Sequence, residues 1–125
     1  MIFDTDVLIW IERGNRRAAR VVESAPKRFL SIFSRMELMQ GARNRRHQDA
    51  IRDFLARFDF ILLPLTENIG HRALIYVEQY GLTHGLTATD AVIAATAAEN
   101  DLTLVSSNAK HYRLIKDLRF KAFAP

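Results

Sequence analysis

The sequence predicts an α/β protein: a three-layer α/β/α sandwich around a mainly parallel sheet, formed as a single domain over residues 1–125. Three observations lead there. Short, continuously apolar runs of strand length recur along the chain. Amphipathic helical patterns separate them, and no linker, internal repeat or low-complexity tract intervenes. Parallel strands need crossover connections and are covered on both faces, so their strands read as apolar runs instead of alternating ones.

Ile2-Phe3 is the first strand, and the apolar stretch 7–11, ending before Gly14, is the helix that follows it across a tight junction at Asp4 to Asp6. Asn15 caps a short helix carrying Ala18, Val21 and Val22, which Pro26 closes. Phe29-Leu30-Ser31-Ile32 is the second strand. Ser34, three residues before Glu37, has capping-box spacing and opens a helix ending near Gly41. Ile51, Phe54, Leu55 and Phe58 recur at helical spacing and mark a longer helix. Phe60-Ile61-Leu62-Leu63 is the third strand. Thr66 then caps a helix through Ile69, Ala73, Tyr76, Val77 and Tyr80 that Gly81 ends. The segment 91–99 is Ala-rich and apolar almost all round, so it belongs in the core. Leu102-Thr103-Leu104-Val105 is the fourth strand, 109–116 a helix, and 120–123 a final edge strand.

The chain has no cysteine, which excludes disulfides and thiolate zinc sites, so any metal must bind oxygen or imidazole. The start of the chain lacks signal-peptide character and no run approaches the length of a membrane span, so a cytoplasmic protein without membrane association is expected. The formal charge is +4, with basic residues grouped in 13–20, 43–46 and 110–121. Such groups suit a polyanion, and they are equally what solvated helix faces and tails look like.

The acidic residues carry more information. Ligands of an open parallel sheet collect outside the carboxyl ends of its strands. Asp4 directly follows the first strand, Asn108 follows the fourth, and Glu37 and Asp90 fall in expected first turns of helices, so all four are expected at that edge. Two or three carboxylates there suit Mg²⁺ or Mn²⁺ and phosphodiester hydrolysis, because such an ion lowers the pKa of a bound water and neutralises charge on the phosphate. Glu37 and Asp90 each also have a local explanation, in Ser34-Arg35-Met36-Glu37 and Thr87-Ala88-Thr89-Asp90, as helix-start residues. Asp4 has none unless it caps the next helix. His47, His71, His84 and His111 form no pair at metal-ligand spacing and read as surface or helix-end residues. Met36, Met39, Phe54 and Phe58 read as core or interface packing.

Four segments, in order, resemble the PIN domains of VapC-type toxins: Asp4-Thr5-Asp6-Val7-Leu8-Ile9; the Glu37 helix ending in Gly41; Thr89-Asp90-Ala91-Val92-Ile93-Ala94-Ala95; and Leu104-Val105-Ser106-Ser107-Asn108-Ala109-Lys110-His111-Tyr112. That resemblance spans essentially the whole chain. It implies a Mg²⁺- or Mn²⁺-dependent endoribonuclease, generally a homodimer or part of a larger toxin–antitoxin assembly, inhibited by a cognate antitoxin and cleaving RNA such as tRNA. It further implies Asp4, Glu37 and Asp90 as the metal ligands. The family often carries a fourth acid where this chain has Asn108; an amide adds no negative charge, so the resemblance gives Asn108 a positioning role in catalysis, beside its local reading as a helix N-cap. Asp6 takes a supporting or helix-capping role. Ser106 is placed to hydrogen-bond Asp4, although serine after a strand is also ordinary turn chemistry. The stretch 43–48 reads either as an RNA-binding or inhibitor-clamping element or as an exposed interhelical loop.

Two other readings compete. Asp4-Thr5-Asp6 after a strand also resembles the paired aspartates of haloacid-dehalogenase-like phosphatases, with Ser106 and Lys110 imitating later motifs, but the acidic pair expected after the last core strand is missing and the chain is short for that fold. A PIN-like RNA-binding or scaffold protein without catalysis is kept open by Asn108 and opposed by the presence of Asp4, Glu37 and Asp90. No Walker P-loop is present.

Overall fold

The computed structural model describes residues 1–125. In chain order the elements are β1 (Ile2–Phe3), α1 (Thr5–Glu12), α2 (Arg16–Ser24), β2 (Arg28–Ser31), α3 (Ile32–Gln40), α4 (Arg45–Arg57), β3 (Phe60–Leu63), α5 (Glu67–His84), α6 (Ala88–Glu99), β4 (Leu104–Ser106), α7 (Ala109–Tyr112) and β5 (Phe120–Ala122). The five strands form one sheet in the order β3-β2-β1-β4-β5, and every pairing is parallel.

Alternation along the strands divides the core between two faces. Ile2 and Leu104 join Ile69, Ala73, Ile93, Ala94 and Tyr112 under α5, α6 and α7. Their neighbours Phe3 and Val105 turn to the other face and meet Val7, Ala18 and Val22 of α1 and α2. Leu30 packs on that same face with Leu8, Leu38, Ile51 and Leu55, which seats α3 and α4. The three-layer sandwich follows. Ala91, Ala94, Ala95 and Ala97 of α6 are fully buried, and their small side chains let α5 approach closely to form the main helix pair of the fold. No helix is long and apolar enough to cross a membrane.

The chain winds outward from β1 to β2 and β3, then crosses to the opposite side of β1 for β4 and β5. The switch point of the winding therefore lies between β1 and β4, where a crevice opens at the carboxyl ends of the strands.

Several local expectations are corrected. The cap of α3 is Ser31, whose hydroxyl accepts from the Phe33 amide at 3.1 Å, so the helix begins directly at the end of β2 with Ile32 inside it. Ser34 lies within the helix, fully buried, and its hydroxyl has no hydrogen-bond partner. Glu37 accordingly sits in the second turn, not the first. Helix α5 passes through Gly81 and stops at Gly85, whose left-handed backbone (φ 70°) makes the terminating turn. Arg45 to Gln48 form the first turn of α4 behind the cap Asn44, so only the beginning of the 43–48 stretch is loop. Helix α7 is a single turn, shorter than 109–116. Met36 is more than half exposed and takes no part in the core.

Candidate active site

Asp4 is set by the end of β1, where its amide donates to the Val105 carbonyl at 3.0 Å and its side chain caps α1. Carboxylate Oδ1 accepts from the Thr5 amide and Oδ2 from the Ser106 hydroxyl, each at 2.8 Å. Only 7% of the residue is exposed. Burial, and then the neighbouring carboxylates of Asp6 and Asp90, push its pKa up to about 7 against the opposing pull of the Ser106 and Thr5 hydrogen bonds.

Asp6 faces the loop after β4. Its Oδ2 accepts from the Ser107 amide at 3.0 Å and from the Ser107 hydroxyl. The Ser106 hydroxyl also lies 3.4 Å from Asp6 Oδ1, but it has one proton to give, and Asp4 at 2.8 Å is the nearer acceptor. The expected Ser106–Asp4 bond is therefore formed. Asp6 acts as a strap between α1 and the β4–α7 loop, while helix capping falls to Asp4. One Asp6 oxygen, Oδ2, is thus held by Ser107.

Glu37 reaches toward α1, and its Oε1 accepts from the Thr5 hydroxyl at 2.7 Å. Because Glu37 is not at a helix start, the capping explanation for it fails. Asp90 does lie in the first turn of α6, where its amide donates to the capping Thr87 hydroxyl at 3.2 Å. Its carboxylate does something else: Oδ1 accepts from the Tyr112 hydroxyl at 3.3 Å, and Oδ2 lies 3.2 Å from His111 Nδ1. Asn108 occupies the cap position of α7 without making a side-chain cap; its amide nitrogen Nδ2 lies 3.2 Å from His111 Nδ1 and its backbone N–H donates to Ser106 Oγ at 3.0 Å.

Asp4, Glu37, Asp90 and Asn108 line one cleft of about 250 Å³ at the β1–β4 switch point, with Thr5 and Asp6 between them. All four residues singled out from sequence are thus brought together. Three further residues join them. Thr5 holds Glu37, and His111 and Tyr112 hold Asp90. A search for paired histidines misses His111 because its partner is a carboxylate.

The donor set suits a hard divalent cation, being all oxygen from three carboxylates. Asp4, Glu37 and Asp90 do not close into a preformed cage, so an ion bound there would complete its shell with water. The Asp4 pKa is raised by burial first and by the neighbouring carboxylates after it, and a cation in the cleft would favour the ionised form. Beside the cleft, a groove of about 270 Å³ shares Ile9 and Glu37 with it and adds Arg13, Arg43 and His47. This groove continues into an apolar one of about 350 Å³ between α1 and α4, lined by Leu8, Ile11, Leu38, Ile51 and Phe54.

Comparison with known proteins identifies the family and the fold. The family model described as the PIN domain matches residues 1–117. The chain is similar to Ribonuclease VapC10 of Mycobacterium tuberculosis, at 33% identity over 123 residues, covering 95% of this chain and 90% of that protein. Among solved structures it resembles a toxin–antitoxin complex from Klebsiella pneumoniae, with 29% identity, a TM-score of 0.80 and coverage of 94% of this chain and 93% of that one. The fold is also that of a DNA-bound VapBC from Salmonella typhimurium, at 17% identity and a TM-score of 0.82 over 97% of this chain and 96% of that one.

Proposed function

The chain belongs to the PIN-domain family, and from that premise we propose that it is a divalent-metal-dependent endoribonuclease acting as the toxin of a toxin–antitoxin pair. The observation that carries the reading is the convergence of Asp4, Glu37 and Asp90 with Asn108 in one cleft at the switch point of the sheet.

Asp4, Glu37 and Asp90 would hold Mg²⁺ or Mn²⁺, which when bound supplies an ionised water at neutral pH and offsets negative charge on the phosphate. The chain's own residues do the aiming. Ser106 and the Thr5 amide fix both oxygens of Asp4, the Thr5 hydroxyl fixes Glu37, and Asn108 offers an amide at the rim of the cleft without adding charge. Arg13 and Arg43, in the groove that shares Glu37, would carry RNA phosphates toward the carboxylates.

The partner in this reading is a small antitoxin, supported by the likeness to the Klebsiella toxin–antitoxin complex. A basic side chain of that inhibitor would neutralise the acidic cleft, and its apolar residues would occupy the groove between α1 and α4. The exposed apolar side chains of α5, Leu74, Ile75 and Leu82, supply surface for a homodimer. The test is expression of the chain alone and with the small protein encoded beside its gene. Growth arrest relieved by co-expression is expected; harmless expression of a soluble, metal-active nuclease would remove the toxin role and leave the nuclease standing.

A further inference from the structure

We infer that Tyr112 is a positioning residue for Asp90, fixing that carboxylate, through the phenolic hydroxyl, for the cation it would hold. The inference rests on the metal-dependent reading above and adds to it a residue outside the acidic set.

Tyr112 is fully buried and is the largest of the fully buried side chains. Its ring lies in the core cluster under α6 and packs against Phe120 with centroids 5.7 Å apart. A phenylalanine would serve that packing equally, so the hydroxyl is the part that packing does not explain. A buried hydroxyl needs a partner, and this one donates to Asp90 Oδ1 at 3.3 Å. A phenol is protonated at neutral pH and is therefore a donor beside this carboxylate.

Helix α7 is one turn long and has little rigidity of its own. What anchors it is the Tyr112 ring in the core. Asn108, His111 and Tyr112 stand at i, i+3 and i+4, with Asn108 lining the cleft and His111 beside Asp90. His111 is the less committed of the two groups on Asp90. Its Nδ1 is 3.2 Å from Asp90 Oδ2 and 3.2 Å from the Asn108 amide nitrogen, and one nitrogen cannot donate to the first while accepting from the second. The Tyr112 hydroxyl carries its own proton and has Asp90 Oδ1 as its hydrogen-bond acceptor.

Groups that hydrogen-bond a metal ligand set its orientation, and their loss typically weakens metal binding ten- to a hundredfold, roughly. The experiment is a Mn²⁺ titration, by calorimetry or by the electron paramagnetic resonance of free Mn²⁺, on wild type and Tyr112→Phe, with metal-free thermal melts of both. Tyr112→Phe is expected to bind Mn²⁺ about tenfold more weakly while its metal-free melting temperature is unchanged. Phe120→Leu, which disturbs the ring's packing without touching the hydroxyl, is expected to lower the melting temperature and leave the Mn²⁺ dissociation constant within about twofold of wild type. Equal Mn²⁺ affinity in Tyr112→Phe and wild type overturns the inference and leaves the nuclease reading intact. Absence of saturable Mn²⁺ binding in the wild type overturns the metal reading itself, and the inference with it.

Discussion

The Ser106 hydroxyl donates to Asp4 Oδ2 at 2.8 Å, joining residues 102 apart in sequence across the ends of β1 and β4. This bond spans the switch point of the sheet and holds a carboxylate that burial and two neighbouring acids would rather see protonated.

Stability in the absence of metal follows from that conflict. Unfolded, the Asp4 carboxyl ionises near 3.8; folded, at about 7. Between these values the unfolded chain releases a proton that the folded chain keeps, so the contribution is fully present below the lower value and is lost as pH rises through the upper one. The loss is on the order of 2–4 kcal/mol. Asp4→Asn removes the penalty, because an amide can still accept from the Thr5 N–H while its own N–H meets the Ser106 oxygen. Denaturant unfolding in EDTA is expected to show the variant gaining on wild type from pH 5 to pH 8. Parallel pH profiles for the two proteins would show that Asp4 is not under this strain.

The same proton competes with a cation. Since Asp4 must ionise to bind metal, Mn²⁺ affinity should fall by about tenfold between pH 8 and pH 6. Calorimetric titrations at several pH values measure this directly, and an affinity that stays flat over that range would remove Asp4 from the ligand set.

Asn108 lines the cleft but contributes no charge. Asn108→Asp, which adds a carboxylate to the cleft, is expected to strengthen Mg²⁺ affinity. A Mg²⁺ titration indistinguishable from wild type would confine Asn108 to its backbone and His111 contacts.

Arg13 and Arg43 are exposed in the groove next to Glu37. Replacing both with alanine should weaken single-stranded RNA binding and lower the slope of log affinity against log salt by about 1.4, at roughly 0.7 for each phosphate no longer neutralised. The melting temperature should barely move. An unchanged salt slope would place the RNA elsewhere on the surface.

Much of this was readable from the chain because the strands are short, apolar and bounded by recognisable caps. Asn15, Thr66 and Thr87 cap helices as their side-chain chemistry demands. Ser34 misled for an equally physical reason: its spacing to Glu37 matches a capping box, but the backbone leaves β2 three residues earlier, at Ser31. Gly81 misled because glycine stops a helix only where a left-handed turn is needed, and that turn falls at Gly85. The hydrogen bonds of Thr5 with Glu37, and of His111 and Tyr112 with Asp90, join residues 32, 21 and 22 positions apart. Such pairings come from how helices cross the sheet edge, which local patterns do not encode.

The central claim, that a divalent cation held by Asp4, Glu37 and Asp90 supports hydrolysis of RNA, is tested most directly by the end groups of the cleavage products. Purified protein is incubated with single-stranded RNA in Mg²⁺ and in EDTA, beside Asp4→Asn and Asp90→Asn. The account predicts Mg²⁺-dependent cleavage leaving 5′-phosphate and 3′-hydroxyl ends, abolished by EDTA and by either substitution. Cleavage that persists in EDTA, or fragments ending in 2′,3′-cyclic phosphate, would contradict it.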